Sequence, residues 1–163
     1  MPSLQIFIGT MTGTAEMAAQ EIQDHLAGAG IACETLSMDG LDANAFTPGR
    51  TYLICTSTYG QGDVPDNAQA FFTSLETERP DLTGVGFGLF GLGDSTYRET
   101  FCFGPKRFQK LLTELGARLI GEPVYHDASA GTMAEEVAGE WVETWLATWR
   151  AEEASRPAET VRQ

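Results

Sequence analysis

Three short segments of this chain combine glycine with hydroxyl side chains, and each follows an apolar run: Thr10-Met11-Thr12-Gly13-Thr14-Ala15, Ser57-Thr58-Tyr59-Gly60-Gln61-Gly62-Asp63 and Gly91-Leu92-Gly93-Asp94-Ser95-Thr96-Tyr97. Small residues and hydroxyls ahead of a helical pattern suit an anion held by main-chain amides, because a helix N-terminus presents unpaired N–H groups and about half a positive charge. The first Lys or Arg in the chain is Arg50, so a phosphate at Thr10, Thr12, Gly13 and Thr14 is held without a cation. A plain turn capped by Thr12 or Thr14 uses similar residues. The other two segments carry Tyr59 and Tyr97. A flat aromatic ring needs such residues and a phosphate does not, so the three segments together point to an aromatic mononucleotide.

These segments need strands and helices to bring them together. Residues 4–8 read as a short buried strand, followed by Ala15, Ala18, Ala19, Ile22 and Leu26 at helical spacing, with Gly28 and Gly30 as stop signals. Residues 31–36 mix apolar and polar types like an exposed strand, whereas 52–56 form a denser run expected near a sheet centre. A helix starts around Pro65 and Asp66, with Phe71, Phe72 and Leu75 inward, before a fourth strand over 85–92. Phe108, Leu111, Leu112 and Leu115 form another helical stripe ending at Gly116. A fifth strand over 118–126 carries an irregularity near Gly121 and Pro123. The last helix runs from about Met133 to Trp149, and its Trp141, Trp145 and Trp149 read as a core-packing stripe. Residues 151–163 have the composition of a flexible tail.

Alternating β and α patterns with short connections predict a single α/β domain over residues 1–150, a three-layer doubly wound parallel sheet of five strands in the order 2-1-3-4-5. In that order a crevice opens at the carboxyl ends of strands 1 and 3, where the first two segments lie, and the third borders it.

At 163 residues and 42% hydrophobic, the chain fits one domain with a sizeable core. A net charge of −13, from 23 acidic and 10 basic residues, opposes nucleic acid and anionic membranes and favours a basic protein partner. Cys33, Cys55 and Cys102 are odd in number and widely spaced, so neither a disulfide framework nor a zinc site is indicated. Cys33 and Cys55 read as buried small hydrophobes. The N-terminus does not read as a signal peptide and no stretch approaches membrane-spanning length, so a soluble cytoplasmic protein is expected. His25 and His126 suggest neither a metal site nor a catalytic dyad, and His25 reads as a solvent-facing helical residue. No nucleophile, base and orienter combination is visible.

The first segment lacks the lysine of a triphosphate-binding loop and the G-x-G-x-x-G of a dinucleotide site. A phospho-accepting receiver needs an acidic pair after strand 1 and an aspartate ending strand 3, where Thr56, Ser57 and Thr58 stand instead. Residues 56–67 and 91–97, with Phe101 and Cys102 following, resemble the flavin loops of the flavodoxin-like FMN proteins, and the likeness covers roughly 4–149. It is greatest to the short MioC-type flavodoxins and the FMN domains of diflavin reductases. The resemblance implies non-covalent FMN, its phosphate in Thr10, Met11, Thr12, Gly13, Thr14 and Ala15. The isoalloxazine would lie between Thr56, Ser57, Thr58, Tyr59, Gly60, Gln61 and Gly62 on one side and Gly91, Leu92, Gly93, Asp94, Tyr97, Phe101 and Cys102 on the other. Tyr59 and Tyr97 would flank the ring, and the Gly60 carbonyl would accept a hydrogen bond from flavin N5–H in the one-electron reduced state. Asp63, Asp66, Asp94, Glu99 and Asp127 would surround the flavin end, Asp127 matching an acidic position of diflavin reductases.

The implied role is a monomeric electron carrier, fed by a flavodoxin/ferredoxin-NADP reductase-type donor and serving an acceptor enzyme such as biotin synthase. The alternative is an FMN-dependent NAD(P)H:quinone or nitro-compound reductase. Tyrosines on both flavin faces argue against it, because they close the pocket a substrate needs.

Overall fold

The computed structural model describes residues 3–9, 14–47, 49–56, 66–93, 103–127 and 133–155. Its elements follow in the order β1 (Ser3–Gly9), α1 (Thr14–Gly28), β2 (Ala32–Ser37), β3 (Thr51–Thr56), α2 (Asp66–Glu78), β4 (Gly86–Gly93), α3 (Phe103–Glu114), β5 (Arg118–Leu119), β6 (Val124–Asp127) and α4 (Ala134–Ser155). Every strand pair is parallel and the sheet runs β2-β1-β3-β4, with β5 and β6 both paired to β4. The order expected from the sequence is therefore present, with its fifth position broken in two.

The break falls where Gly121 and Pro123 stand. Gly121 takes φ +69°, a left-handed conformation that favours glycine, and Pro123 has no N–H to give to a ladder. Across the gap the carbonyls of Ile120 and Glu122 accept hydrogen bonds from the indoles of Trp145, at 3.0 Å, and Trp141, at 2.9 Å. Trp149 donates to Thr51 Oγ1 at 3.3 Å. The tryptophan stripe thus packs against the core and also fastens α4 to the sheet. Gly88 leaves the space for it, since a Cβ there would collide with the Trp145 ring.

Alternation along the strands separates two apolar layers. Leu4, Ile6, Ile8, Leu53, Cys55, Phe90 and Leu92 face α1 and α4. Phe7, Tyr52, Ile54, Phe87 and Leu89 face α2 and α3. All six side chains of β3 are buried, as its central place requires, and β2 alternates between half-buried and exposed. In α1 the inward stripe of Ala15, Ala18, Ala19, Ile22 and Leu26 is fully buried. Gly30, at φ +85°, closes that helix with the bonds Gly30 N–H to Ala27 O and Ile31 N–H to Leu26 O.

Helix α4 continues to Ser155, so residues 151–155 are helical where composition suggests the start of a tail. Glu152 accepts from Arg118 Nη2 at 2.8 Å, a tie to β5 that local composition does not reveal. Residues 156–163 lie outside the described residues. Among the described residues no helix is long and apolar enough to cross a membrane.

Candidate functional site

The carboxyl ends of four strands stand side by side. Gly9 is in register with Thr56, Thr56 with Gly91, and Gly93 with Asp127. Neighbouring strands lie about 4.8 Å apart, so the chain leaves the sheet four times from one short edge. That edge includes the gap between β1 and β3 where strand order reverses, the place a doubly wound sheet offers a ligand.

Of the candidate residues, Thr10, Met11, Thr12 and Gly13 lie outside the described residues, as do Ser57, Thr58, Tyr59, Gly60, Gln61, Gly62, Asp94, Tyr97, Phe101 and Cys102. The remaining candidates all fall on this edge. Thr14 opens α1 with Ala15 fully buried behind it, and Thr56 ends β3, also fully buried. Gly91, Leu92 and Gly93 complete β4, and Asp127, half-buried, ends β6.

Two features below the crevice were not read from the sequence as parts of a site. The buried thiol of Cys55 donates to the carbonyl of Ala15 at 3.3 Å, tying the first turn of α1 to β3. Burial pushes that thiol up to about 12, so it stays protonated and acts as a donor. Gly9 is the second feature. A Cβ on it would stand 2.5 Å from Thr56 Oγ1 and 3.0 Å from Met38 Sδ, so the Thr56 side chain occupies the space that the glycine leaves. The sequence signal for this pair is a strand ending in glycine directly before the hydroxyl-rich segment.

The far side of the edge is built the same way. A Cβ on Gly91 would stand 2.6 Å from both Cβ and Cγ of Pro105, so the first turn of α3 rests directly on the end of β4. Tyr125, in register with Gly91, places its ring beside Lys106, whose Nζ is 5.3 Å from the ring centroid.

A helix start beside four strand ends suits a ligand that carries an anionic group. The start of α1 stands at the crevice, where the free amides of a helix N-terminus suit an anion. The side-chain chemistry of an acid–base enzyme is not assembled by the described residues. Cys33 is half-buried, with its thiol also raised to about 12 by burial, and no group of described residues is arranged to hold a metal ion.

His25 differs from its solvent-facing reading. Its Nδ1 lies 2.6 Å from Glu143 Oε2 and its Nε2 3.1 Å from Glu21 Oε2, so it bridges α1 and α4 at the edge opposite the crevice. The hydrogen bond to Glu143 is the main cause that raises its pKa above 6.5. A groove of about 720 Å³ follows the break between β5 and β6 along α4, over Pro123, Val124, Val137 and the Trp141 and Trp145 rings. The indoles already engage its carbonyls at 120 and 122, which leaves it little polar chemistry.

Comparison with known proteins agrees with this architecture. The flavodoxin family profile matches residues 6–141. The chain is 32% identical over 145 residues to protein MioC of Escherichia coli strain K12, covering 87% of this chain and 95% of MioC. It is 33% identical over 143 residues to flavodoxin YqcA of the same organism, covering 88% and 95% of the two chains. The structure of a cysteine-to-serine mutant of flavodoxin from Pseudomonas aeruginosa superposes with a TM-score of 0.79 at 33% identity, over 90% of this chain and 97% of that one.

Proposed function

Since the chain belongs to the flavodoxin family, we propose that it binds FMN and carries single electrons from an NADPH-dependent flavoprotein reductase to an acceptor enzyme, as a short flavodoxin of the MioC type. The observation that carries this reading is the single edge where β1, β3, β4 and β6 end beside the start of α1.

In this reading the amides and hydroxyls of Thr10, Thr12, Gly13 and Thr14 hold the phosphate, with Cys55 fixing the turn beneath them. Tyr59 and Tyr97 flank the ring and exclude water from its faces, and stacking adds roughly 1 kcal/mol per aromatic contact beyond area burial. Gly60 offers its carbonyl at the ring edge, and Asp127 adds negative charge nearby. The bound flavin supplies the electron chemistry, and the protein sets its environment and its docking face. The proposed donor is a reductase of the flavodoxin/ferredoxin-NADP type, biotin synthase is the acceptor to try first, and the carrier works as a cytoplasmic monomer.

The test is a visible spectrum of the purified protein supplied with FMN, followed through slow anaerobic reduction. Flavin bands, with a long-wavelength absorbance that rises and then falls, are expected. Bound FMN that passes straight to the two-electron form would favour the quinone or nitro-compound reductase, and a protein that binds no FMN would refute both.

A further inference from the structure

One face of α4, from Val137 to Thr148, forms one wall of the groove of about 720 Å³, and the segment from Gly121 to Val124 forms the other. Its apolar surface is made by the Trp141 and Trp145 rings with Pro123, Val124 and Val137. The indole N–H groups are already engaged by the carbonyls of Glu122 and Ile120. The rim is acidic. Glu122 and Glu140 are exposed, no Lys or Arg lines the groove, and neither acid joins an ion pair among the described residues. An occupant therefore combines a small apolar group with a cation.

The chain itself supplies such a segment. Arg118 of β5 holds Glu152 of α4 at 2.8 Å, which fixes the end of the helix beside the sheet edge, one turn beyond the last groove residue, Thr148. Residues 156–163 follow with Arg156, Val161 and Arg162, and Pro157 does not continue a helix. With the chain reversing over Arg156 and Pro157, the residues to Arg162 extend about 16 Å, at roughly 3.3 Å each. The same distance back along α4, at about 1.5 Å per residue, runs from Ser155 to around residue 144. Arg162 then stands one turn from Glu140, within reach of its long side chain, and Val161 stands at the level of the Trp145 ring. Glu122 is at the same height, since its carbonyl meets the Trp141 indole.

We propose that residues 156–163 fold back into this groove as an extended strap, with Val161 over the tryptophan row and Arg162 between Glu122 and Glu140. The strap shields the indole–carbonyl bonds and closes the side of the sheet where the fifth position is broken. It adds no strand: α4 shares the face of α1, so a parallel strand beyond β6 would need a left-handed crossover. Tethering favours the chain's own segment over that of a second copy.

The test compares the full chain with one ending at Ser155, and with the variants V161S and R162Q, which alter the strap and leave the groove intact. Indole N–H resonances and amide hydrogen exchange are the readouts. Removing residues 156–163 is expected to shift the Trp141 and Trp145 indole signals and to speed exchange at residues 121, 122 and 124 severalfold. V161S and R162Q should each reproduce part of that change, and R162Q should lose its effect in the E140Q background, as coupled residues do. Changes confined to residues 149–155, or a groove indifferent to V161S and R162Q, would overturn the proposal. So would shifts that depend on protein concentration, which would put the segment on a second copy.

Discussion

Helices α1 and α3 begin at the same edge of the sheet, on strands that flank β3, and their opening turns are opposite in chemistry. The turn of α1 follows a stretch without cations, packs Ala15 and Ala18 flat on the sheet and is tied from below by Cys55. The turn of α3 leans on a glycine and displays Lys106 and Arg107 outward. One helix start is suited to take an anion with its main chain, and the other carries positive charge on exposed side chains. The difference teaches that two helix starts at one sheet edge need not share a chemistry: α1 offers main-chain amides and α3 carries exposed cations.

The strongest way to break the comparison is to disturb the seat of α3. Gly91→Val forces side-chain atoms into Pro105, and overpacking of this kind costs about 1–3 kcal/mol. Urea unfolding should show that loss, together with weakened FMN binding, and an unchanged midpoint would contradict the close packing. At α1 the double variant T12A/T14A should weaken FMN about tenfold or more, since a hydrogen bond to a charged group contributes about 1.5–3 kcal/mol. Equilibrium dialysis reads the effect, and unchanged affinity would remove the phosphate from this turn. Cys55→Ala deletes a buried donor and leaves a small cavity, for an expected cost of about 1–2 kcal/mol with a severalfold loss of FMN affinity. A stability loss without any change in FMN binding would make the thiol a packing residue alone.

The smallest effect belongs to the end of α1 far from the crevice. His25 has a raised folded-state pKa, so its protonated form is favoured by folding. The stabilisation is fully present below the unfolded value near 6.5 and is lost as pH rises through the higher folded value. His25→Gln should therefore cost roughly 0.2–1 kcal/mol at mildly acid pH and less at pH ~9. Unfolding of both proteins across that range checks the sign, and a cost that grows with pH would contradict the bridge to Glu21 and Glu143.

Much of the frame is legible in local pattern, because strand alternation and the spacing of α1, α2 and α3 are set by short stretches of chain. Even the broken fifth strand announces itself through Gly121 and Pro123. Long-range contacts are what the pattern hides. His25 meets Glu143 across 118 residues, and the extension of α4 is anchored by Arg118 across 34. The Thr56 hydroxyl explains Gly9 only once β1 and β3 are paired. Phe46, in the stretch after β2, joins Phe7, Tyr52 and Phe71 in an aromatic cluster that no periodic signal marks. Likewise, Lys106 and Arg107 are adjacent in the sequence, but placing them at this edge requires the contact between Gly91 and Pro105.

The central claim, that the amide-rich start of α1 holds the cofactor's phosphate without a cation, is tested most directly by comparing the dissociation constants of FMN and riboflavin for the same protein. The account predicts that FMN binds at least about a hundredfold more tightly, roughly 2.8 kcal/mol. Equal affinities would contradict it, because the ring alone would then account for binding.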